Sequence, residues 1–414
     1  MIGSLFAGIS GLNANATAMT VVGDNIANVN TTAFKANRSS FANILSQSLG
    51  GSSSNDIGRG VDFWGTTPSW SQGSLENTSS PTDLAINGRG FFTLNDVNGG
   101  RFYSRAGEFT FDRNGDLRNP DNLVVQGYPV TGVAPDGTFA LGSLSDISVP
   151  GGSITPPMGS TEINADINLN AGAAVGDIFS SAVTIYDSLG NSIPVTLTFS
   201  NTGAGAWDVG ASIPASAGTG VTLNGGATTP LVFDTAGQLT TPAANIPMVL
   251  TLTNGATPTQ TVTWNLYDAS GLNNGDLTGY ASPSSTTFLG QNGYPAGSLR
   301  GLSFDEAGIL MGSYSNGQLT PLFQLALAEF PSYYGLTKMG HNLYAESLES
   351  GQALPGVPGS GSLGSISPSA IEMSNVDLAQ EFVKMITTQR AFQANSRVIT
   401  TSDEILTELI NIKR

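Results

Sequence analysis

The chain has 414 residues and a mass of 42.5 kDa, which is enough for two or three domains that each bury a core. Charged residues make up 11% of the chain and glycine occurs 52 times, a composition typical of a turn-rich β protein. The net charge of -16 argues against nucleic acid as a partner, and the absence of cysteine excludes disulfides, thiolate metal sites and cysteine nucleophiles.

The N-terminal segment, residues 1–32, predicts a helix. Its large apolar residues recur in steps of three and four, with Gly23 interrupting the row. The members of this row are Ile2, Leu5, Ile9, Leu12, Met19 and Ile26. The first basic residue is Lys35, so the charged leading region of a signal peptide is missing. No uninterrupted apolar run reaches the length of about eighteen residues that a membrane span requires, so we expect none.

The middle of the chain predicts nested β domains. Segments 33–75 and 350–373 are rich in serine and glycine and predict extended, mobile connecting straps. Between them, residues 76–148 and 288–349 predict the two halves of a discontinuous inner β domain. Residues 149–287, richer still in threonine, alanine and glycine, predict an outer β domain inserted between those halves.

One turn pattern recurs in this β region. An aspartate follows a phenylalanine, a glycine comes three residues later, and a leucine follows the glycine by two. We expect the aspartate side chain to start each turn and the glycine to adopt a positive φ. The turns are Asp112 with Gly115, Asp234 with Gly237, and Asp305 with Gly308.

Residues 374–414 contain neither glycine nor proline and predict one helix of roughly 60 Å at ~1.5 Å per residue. Ser374, with Asp377 three residues on, is the predicted N-cap, while Lys413 and Arg414 favour the C-terminal end of the helix dipole. Apolar residues recur along it, most of them at steps of seven. They are Leu378, Phe382, Met385, Phe392, Ile399, Leu406 and Ile410.

Both ends of the chain therefore carry the same kind of apolar row. We predict a mainly β fold with long terminal α-helices, in which the N- and C-terminal helices pair as a coiled-coil-like inner domain beside the two nested β domains. Residues 1–32 and 374–414 would form this helical core. The two rows are the candidate self-assembly site, through which the helices pair with each other and with further copies of the chain.

The sequence offers little for catalysis. His341 is the only histidine and lies in a polar loop without metal-binding companions. Gly359, Gly361 and Gly364 have the letters of a dinucleotide loop, but no strand precedes them and no helix follows. We expect no enzyme activity, no cofactor and no metal, although a carboxylate pair brought together by folding stays open.

The two ends also resemble a known family. The segment Ser10–Lys35, SGLNANATAMTVVGDNIANVNTTAFK, resembles the N-terminal signature of the axial proteins that build the rod and hook of the bacterial flagellum. The segment Ser374–Leu406 resembles the matching C-terminal signature. Asp24 stands where a second asparagine is common in that family, and Ala33 stands where glycine is usual. Neither change removes the pattern.

Within this family the middle of the chain is the more discriminating part. Asp83–Leu94 and Tyr103–Leu117 are similar to segments of both rod and hook proteins. Val183–Val209 and Gly293–Phe330 resemble hook proteins, whereas the distal rod protein lacks such an inserted domain. The resemblance therefore favours the hook branch of the family.

The resemblance implies a non-enzymatic subunit of a flexible, curved tube that joins rod to filament and transmits torque. It implies an extracellular place in the flagellar basal body and hook, reached through the flagellar type III export apparatus without a cleaved signal peptide. The implied partners are a homopolymer, the distal rod protein, the hook cap protein and the hook–filament junction protein. The alternatives are a distal rod protein or, from a different class, a secreted β-rich carbohydrate-active enzyme or an adhesin.

Overall fold

The computed structural model describes residues 2–44, 47–48, 56–134, 137–203 and 205–412. Helix α1 spans Ile2–Ala27 and helix α2 spans Leu378–Ile412, with a short 3-10 helix at Tyr333–Gly335 between them. All other regular elements are strands, which confirms the predicted fold class of a mainly β chain with two terminal helices.

The strands fall into three groups along the chain. The first group comprises β1 (Asn37–Asn43), β2 (Gln47–Ser48), β3 (Asp56–Ile57), β4 (Val61–Pro68), β5 (Leu75–Asn77), β6 (Leu84–Asn87), β7 (Phe91–Asn95), β8 (Arg101–Ser104), β9 (Thr110–Phe111), β10 (Leu117–Arg118), β11 (Val124–Val133), β12 (Phe139–Leu141) and β13 (Ser145–Asp146). The second comprises β14 (Ile154–Thr155), β15 (Glu162–Asn168), β16 (Ile178–Tyr186), β17 (Ser192–Gly203), β18 (Ala206–Ser212), β19 (Gly218–Leu223), β20 (Thr228–Phe233), β21 (Leu239–Thr241), β22 (Ile246–Leu252), β23 (Thr259–Trp264), β24 (Leu277–Thr278) and β25 (Ser285–Gln291). The third comprises β26 (Gly297–Phe304), β27 (Ile309–Tyr314), β28 (Leu319–Leu325), β29 (Leu327–Glu329), β30 (Thr337–Gly340), β31 (Leu343–Ala345), β32 (Leu354–Gly356), β33 (Ser365–Pro368) and β34 (Ala370–Glu372).

The chain divides into two compact units. The helical unit contains residues 1–151, 301–312 and 319–414, and the outer unit contains residues 152–300 and 313–318. The predicted boundary between residues 287 and 288 falls inside strand β25, which pairs along β15. Because a strand belongs with the partner it hydrogen-bonds to, the outer unit continues to residue 300.

The outer unit is built from two sheets that share one core. One sheet has the order β16-β17-β18-β20-β21, and the other has the order β19-β22-β23-β15-β24 with β25 also on β15. In β17 and β22, buried residues alternate with more exposed ones, as the pleat of a strand requires. The core is closed by Phe199, Trp207 and Trp264, and the rings of Phe199 and Trp264 lie 6.2 Å apart.

The β part of the helical unit contains the strand order β28-β11-β7-β8-β31-β30. Its aromatic core brings together residues that are far apart in sequence, and the rings meet edge to face in the way that aromatic pairs favour. Its members are Phe91, Tyr103, Phe330 and Tyr344, with Trp70 packed against them.

The predicted straps are not free connectors where the structure describes them. In the second one, β32, β33 and β34 pair with β29, β6 and β5. Alternate side chains such as Ile366, Ala370 and Glu372 are buried there, so burial and ladder bonds order a segment whose composition predicts mobility. In the first, β1 pairs with β4, while residues 49–55 lie outside the described residues.

The helix ends also differ from the prediction. Helix α1 stops at Ala27 rather than near residue 32, and a turn follows in which the Thr31 amide donates to the Asn28 carbonyl. Helix α2 is capped by Asp377, not Ser374, because the Asp377 carboxylate accepts from the amides of Ala379 at 2.9 Å and Gln380 at 3.2 Å. Lys413 and Arg414 lie outside the described residues.

The turn prediction is confirmed at all three positions. The carboxylate of Asp234 accepts from the amides of Ala236 and Gln238, each at 2.8 Å, and Gly237 has a φ of 77°. The equivalent glycines, Gly115 and Gly308, also have positive φ. The same turn occurs twice more, at Asp187 with Gly190 and at Asp268 with Gly271.

Candidate self-assembly site

The two terminal helices pack against each other through the small face of α1. Gly8, Gly11, Ala14 and Ala18 are buried there at helical spacing, and Val22 continues the same face. A Cβ on Gly8 would lie 3.1 Å from Cγ1 of Ile399, so the backbone of α1 approaches α2 closely. The predicted pairing of the terminal helices is confirmed, but small residues make the contact.

Helix α2 presents its predicted heptad row to this contact. Met385, Phe392, Ile399 and Leu406 are partly buried, and Ile399 meets the small face of α1 at Gly8. Two polar residues on the same face, Glu381 and Ser402, are buried almost completely. The α2 surface that faces α1 is therefore half apolar and half polar.

The predicted α1 row lies on a different face of its helix. Leu5, Leu12, Met19 and Ile26 are partly exposed and Ile9 is exposed, while the side chain of Ile2 lies outside the described residues. The pairing of this row with α2 and with further copies stays a prediction, and the close contact that the structure shows is made at Gly8 and Gly11. A second set of exposed apolar side chains lies on α2. It contains Leu378, Phe382, Val383, Ile386, Val398, Ile405, Ile410 and Ile412.

The thirteen-residue candidate site thus divides by exposure. The partly buried members are Leu5, Leu12, Met19, Ile26, Met385, Phe392, Ile399 and Leu406, and Ile399 contacts α1. The others whose side chains are described are open to solvent in part or largely, and Phe382 is 50% exposed. Large apolar side chains that are exposed side by side along two helices are typical of a surface that another protein covers.

The buried side chain of Asn25, near the C-terminal end of α1, hydrogen-bonds to α2 and to strand β1. Asn25 donates from Nδ2 to the Asn37 carbonyl at 2.8 Å and to Oε2 of Glu381 at 3.2 Å, and its Oδ1 accepts from the Asn37 amide at 2.8 Å. Glu381 also accepts from Nζ of Lys384 at 2.7 Å. This group was not predicted from the sequence, although a polar residue at every seventh position of α2 was a detectable signal.

A buried ion cluster lies close by and joins three distant segments. Glu372 is fully buried and accepts from Nζ of Lys35 at 2.5 Å and from Nε of Arg105 at 3.1 Å. The same carboxylate accepts from the Gly73 amide at 2.9 Å. Burial lowers the pKa of Lys35, and the carboxylate of Glu372 opposes that shift. The cluster ties the segments that follow α1 and precede α2 to the β part of the same unit.

The single histidine and one group of aspartates each have a side-chain partner within the described part of the chain. His341 is exposed and contacts Asp121 Oδ1 through Nδ1. Among the described residues, no group of histidines and carboxylates has the arrangement of a metal site. Asp112 and Asp116 both bind the guanidinium of Arg118, at 2.9 and 2.8 Å, so the two carboxylates share one positive charge.

Helix α1 meets the length and hydropathy criterion for a membrane span, which was not expected from the sequence. Between Gly3 and Ala27 it is long and apolar enough, by length and composition alone, to cross a membrane. Helices packed against a partner also meet this criterion, and α1 carries Asn15, Asp24 and Asn25 along its length.

Comparison with protein families gives matches along most of the chain. Residues 5–35 match "Flagella basal body rod protein", 85–170 match "Flagellar hook protein FlgE/F/G D1 domain", 176–294 match "Flagellar basal body protein FlaE D2 domain", and 367–412 match "Flagellar basal body rod FlgEFG protein C-terminal". The terminal matches contain both helices of the candidate site.

Comparison with individual proteins gives full-length relatives. The flagellar hook protein FlgE of Escherichia coli (strain K12) is 36% identical over 98% of this chain and 98% of its own length. That of Rhizobium meliloti (strain 1021) is 33% identical over 100% of both chains. Among solved structures, the Helicobacter pylori flagellar hook protein FlgE2 is similar in fold, with a TM-score of 0.52, 15% identity and coverage of 72% of this chain and 100% of its own.

Proposed function

Because the chain belongs to the flagellar hook protein family, we propose that it is a structural subunit that assembles with its own copies into the hook, a flexible, curved tube that transmits torque from rod to filament. The observation that carries this proposal is the open apolar surface of the helix pair. On the α1 side the contact is made mainly by small residues, and many large apolar side chains of both helices stay exposed and available to neighbouring copies.

The energetic argument follows from burial. A fully buried Leu, Ile, Met or Phe side chain contributes about 1.5–3 kcal/mol relative to the exposed state. Ile9, Phe382 and Ile386 keep much of their surface exposed in one chain, so they gain this energy only when another molecule covers them. A polymer in which each helix pair is surrounded by others meets that requirement.

The proposed assembly extends to the neighbours that a hook requires. We place the subunit outside the cell, between the distal rod protein and the hook–filament junction protein, assembling beneath the hook cap protein after type III export. The helix pair would line the inside of the tube, and no step of this role requires a catalytic group, a cofactor or a metal. Membership of a family of structural proteins supports this interpretation.

The proposal is tested by charging the open apolar surface. Ile9→Asp and Phe382→Asp place a carboxylate where another copy would pack, so we expect loss of polymer with an unchanged thermal transition of the β units. Gln393→Asp, a change of the same charge at an exposed polar position of α2, is the matched control. Electron microscopy scores the polymer and circular dichroism scores the fold. Hooks of normal length from both variants would contradict the proposal.

A further inference from the structure

The face that joins α1 to α2 carries a second pattern, a small or polar residue at every seventh position. On α1 these residues are Ser4, Gly11, Ala18 and Asn25. On α2 they are Glu381, Thr388, Asn395 and Ser402. The helices run antiparallel, and Ser4 Oγ lies 3.5 Å from Ser402 Oγ. Gly11 faces the amide group of Asn395, and Asn25 bonds to Glu381. The same register places Ala18 opposite Thr388.

The apolar residues of the contact do not determine this register by themselves. Met385, Phe392, Ile399 and Leu406 are spaced by seven residues, so sliding α1 by one heptad, about 10 Å at ~1.5 Å per residue, would again place apolar residues over the small face. The apolar residues alone therefore fit the native alignment and an alignment shifted by seven residues equally well. Other residues in the contact must distinguish the two.

The small and polar positions remove that degeneracy. A Cβ on Gly11 would lie 2.8 Å from Nδ2 of Asn395, so glycine is the residue that fits opposite this amide without moving the Asn395 side chain. A slip of one heptad brings Ala18 or Ser4 to that place, and both have a Cβ. Either slip also separates Asn25 from Glu381, which is 3% exposed, and costs the buried carboxylate one of its donors.

We propose that these four layers, and above all the Asn25–Glu381 pair, set the register of α1 on α2. The register in turn fixes the height at which α1 presents its open apolar row to another copy. That consequence rests on the proposed function, whereas the register itself is a property of one chain and can be tested without any polymer. Buried polar residues that specify helix register at some cost in stability are well attested in coiled coils.

The absence of cysteine makes disulfide trapping a clean test. In the full chain, Ser4→Cys with Ser402→Cys reports the native register, and Asn15→Cys with Ile399→Cys reports a slip of one heptad. Dilute protein is oxidised, and the monomer band is analysed by mass spectrometry for the link between peptides 1–35 and 398–413. We expect the native pair to link and the slip pair not to link.

Replacing the key pair should relax the register. In an Asn25→Leu, Glu381→Leu background we expect the slip product to rise at least about tenfold, equivalent to ~1.4 kcal/mol of lost preference. Glu381→Leu alone, which keeps the bonds between Asn25 and the Asn37 backbone, should act in the same direction. Asn13→Leu with Glu404→Leu makes the same chemical changes at exposed positions and should leave both products unchanged.

Two outcomes would overturn the proposal. One is that both Glu381 variants form the native link and no slip link, while circular dichroism shows that helix content is retained. The short connections at the base of the helices, and not the polar layers, would then hold the register. The other is the absence of a native link in the chain that carries only the two reporter cysteines. Loss of polymer affects neither readout, so failure here is separable from failure of the proposed function.

Discussion

The outer unit and the helix pair use apolar side chains in opposite ways. In the outer unit, residues of two sheets bury Phe199, Trp207 and Trp264 in a core that the unit itself completes. In the helix pair, α1 contributes mainly small residues to the contact within the chain, while Phe6 remains 62% exposed. One region buries its apolar side chains within one chain, and the other keeps many of them exposed, which is the surface that we propose copies of the chain cover.

The largest effect expected from this comparison is in the outer core. Trp207→Ala removes a side chain that is 1% exposed and should lower the free energy of unfolding by about 3–5 kcal/mol, through lost burial and the cavity left behind. Val175→Ala, at a side chain that is 75% exposed, should change it by less than about 0.5 kcal/mol. Urea denaturation of both variants measures the difference, and equal midpoints would show that the outer core is not self-sufficient.

A smaller effect is expected at a buried turn of the same unit. Burial alone would raise the pKa of Asp187, but bonds from Asn191, Leu189 and Asn254 outweigh it and lower the pKa below the ordinary value of 3.8. A carboxylate with a lowered folded pKa contributes stability that is present above the unfolded pKa and is lost as pH falls through the folded one. The outer unit should therefore lose stability below about pH 4.

The matched variants are Asp187→Asn and Asp268→Asn. Asp187 Oδ2 accepts from the side-chain amides of Asn191 and Asn254. In Asp187→Asn an NH2 group faces these two donors instead of an oxygen, which should lower the free energy of unfolding by about 1–3 kcal/mol. Among the described residues, the Asp268 carboxylate accepts from the amides of Ser270 and Leu272 through Oδ1, and asparagine preserves both bonds. Thermal melts across pH 3–7 check both. An unchanged pH profile in Asp187→Asn would contradict the assignment.

What the sequence predicts well is local. The turns at Asp112, Asp234 and Asp305 depend on a side chain and a glycine within a few residues, and the same rule, applied throughout, would have found those at Asp187 and Asp268. The amphipathic helices and the β character of the middle are also local properties, since they depend on periodicity and composition.

The sequence predicts poorly those features that depend on contacts between residues far apart in the chain, because only folding brings such residues together. Helix α1 has two heptad patterns, and the large residues are the more conspicuous although the small ones make the contact. Glu372, Lys35 and Arg105 come from distant segments, so their cluster has no local signature. The composition of the second strap likewise predicts mobility, and only its pairing with β29, β6 and β5 orders it.

The smallest expected effect lies in the helix contact itself, where two glycines of one helix should respond differently to replacement by alanine. Alanine is favoured over glycine in a helix by about 1 kcal/mol. A Cβ at Gly3 meets no atom within 4 Å, so Gly3→Ala should stabilise α1. At Gly11 the new methyl would lie 2.8 Å from Nδ2 of Asn395, so the Asn395 side chain must move and the gain in propensity should be reduced or cancelled. Two measurements check both changes. They are helix content by circular dichroism and the yield of the native disulfide link in the background that carries Ser4→Cys and Ser402→Cys.

A gain of similar size in both variants would mean that α1 and α2 pack less closely at Gly11 than the structure shows. The helix contact would then not depend on small residues, and the comparison with the tightly packed outer core would no longer hold.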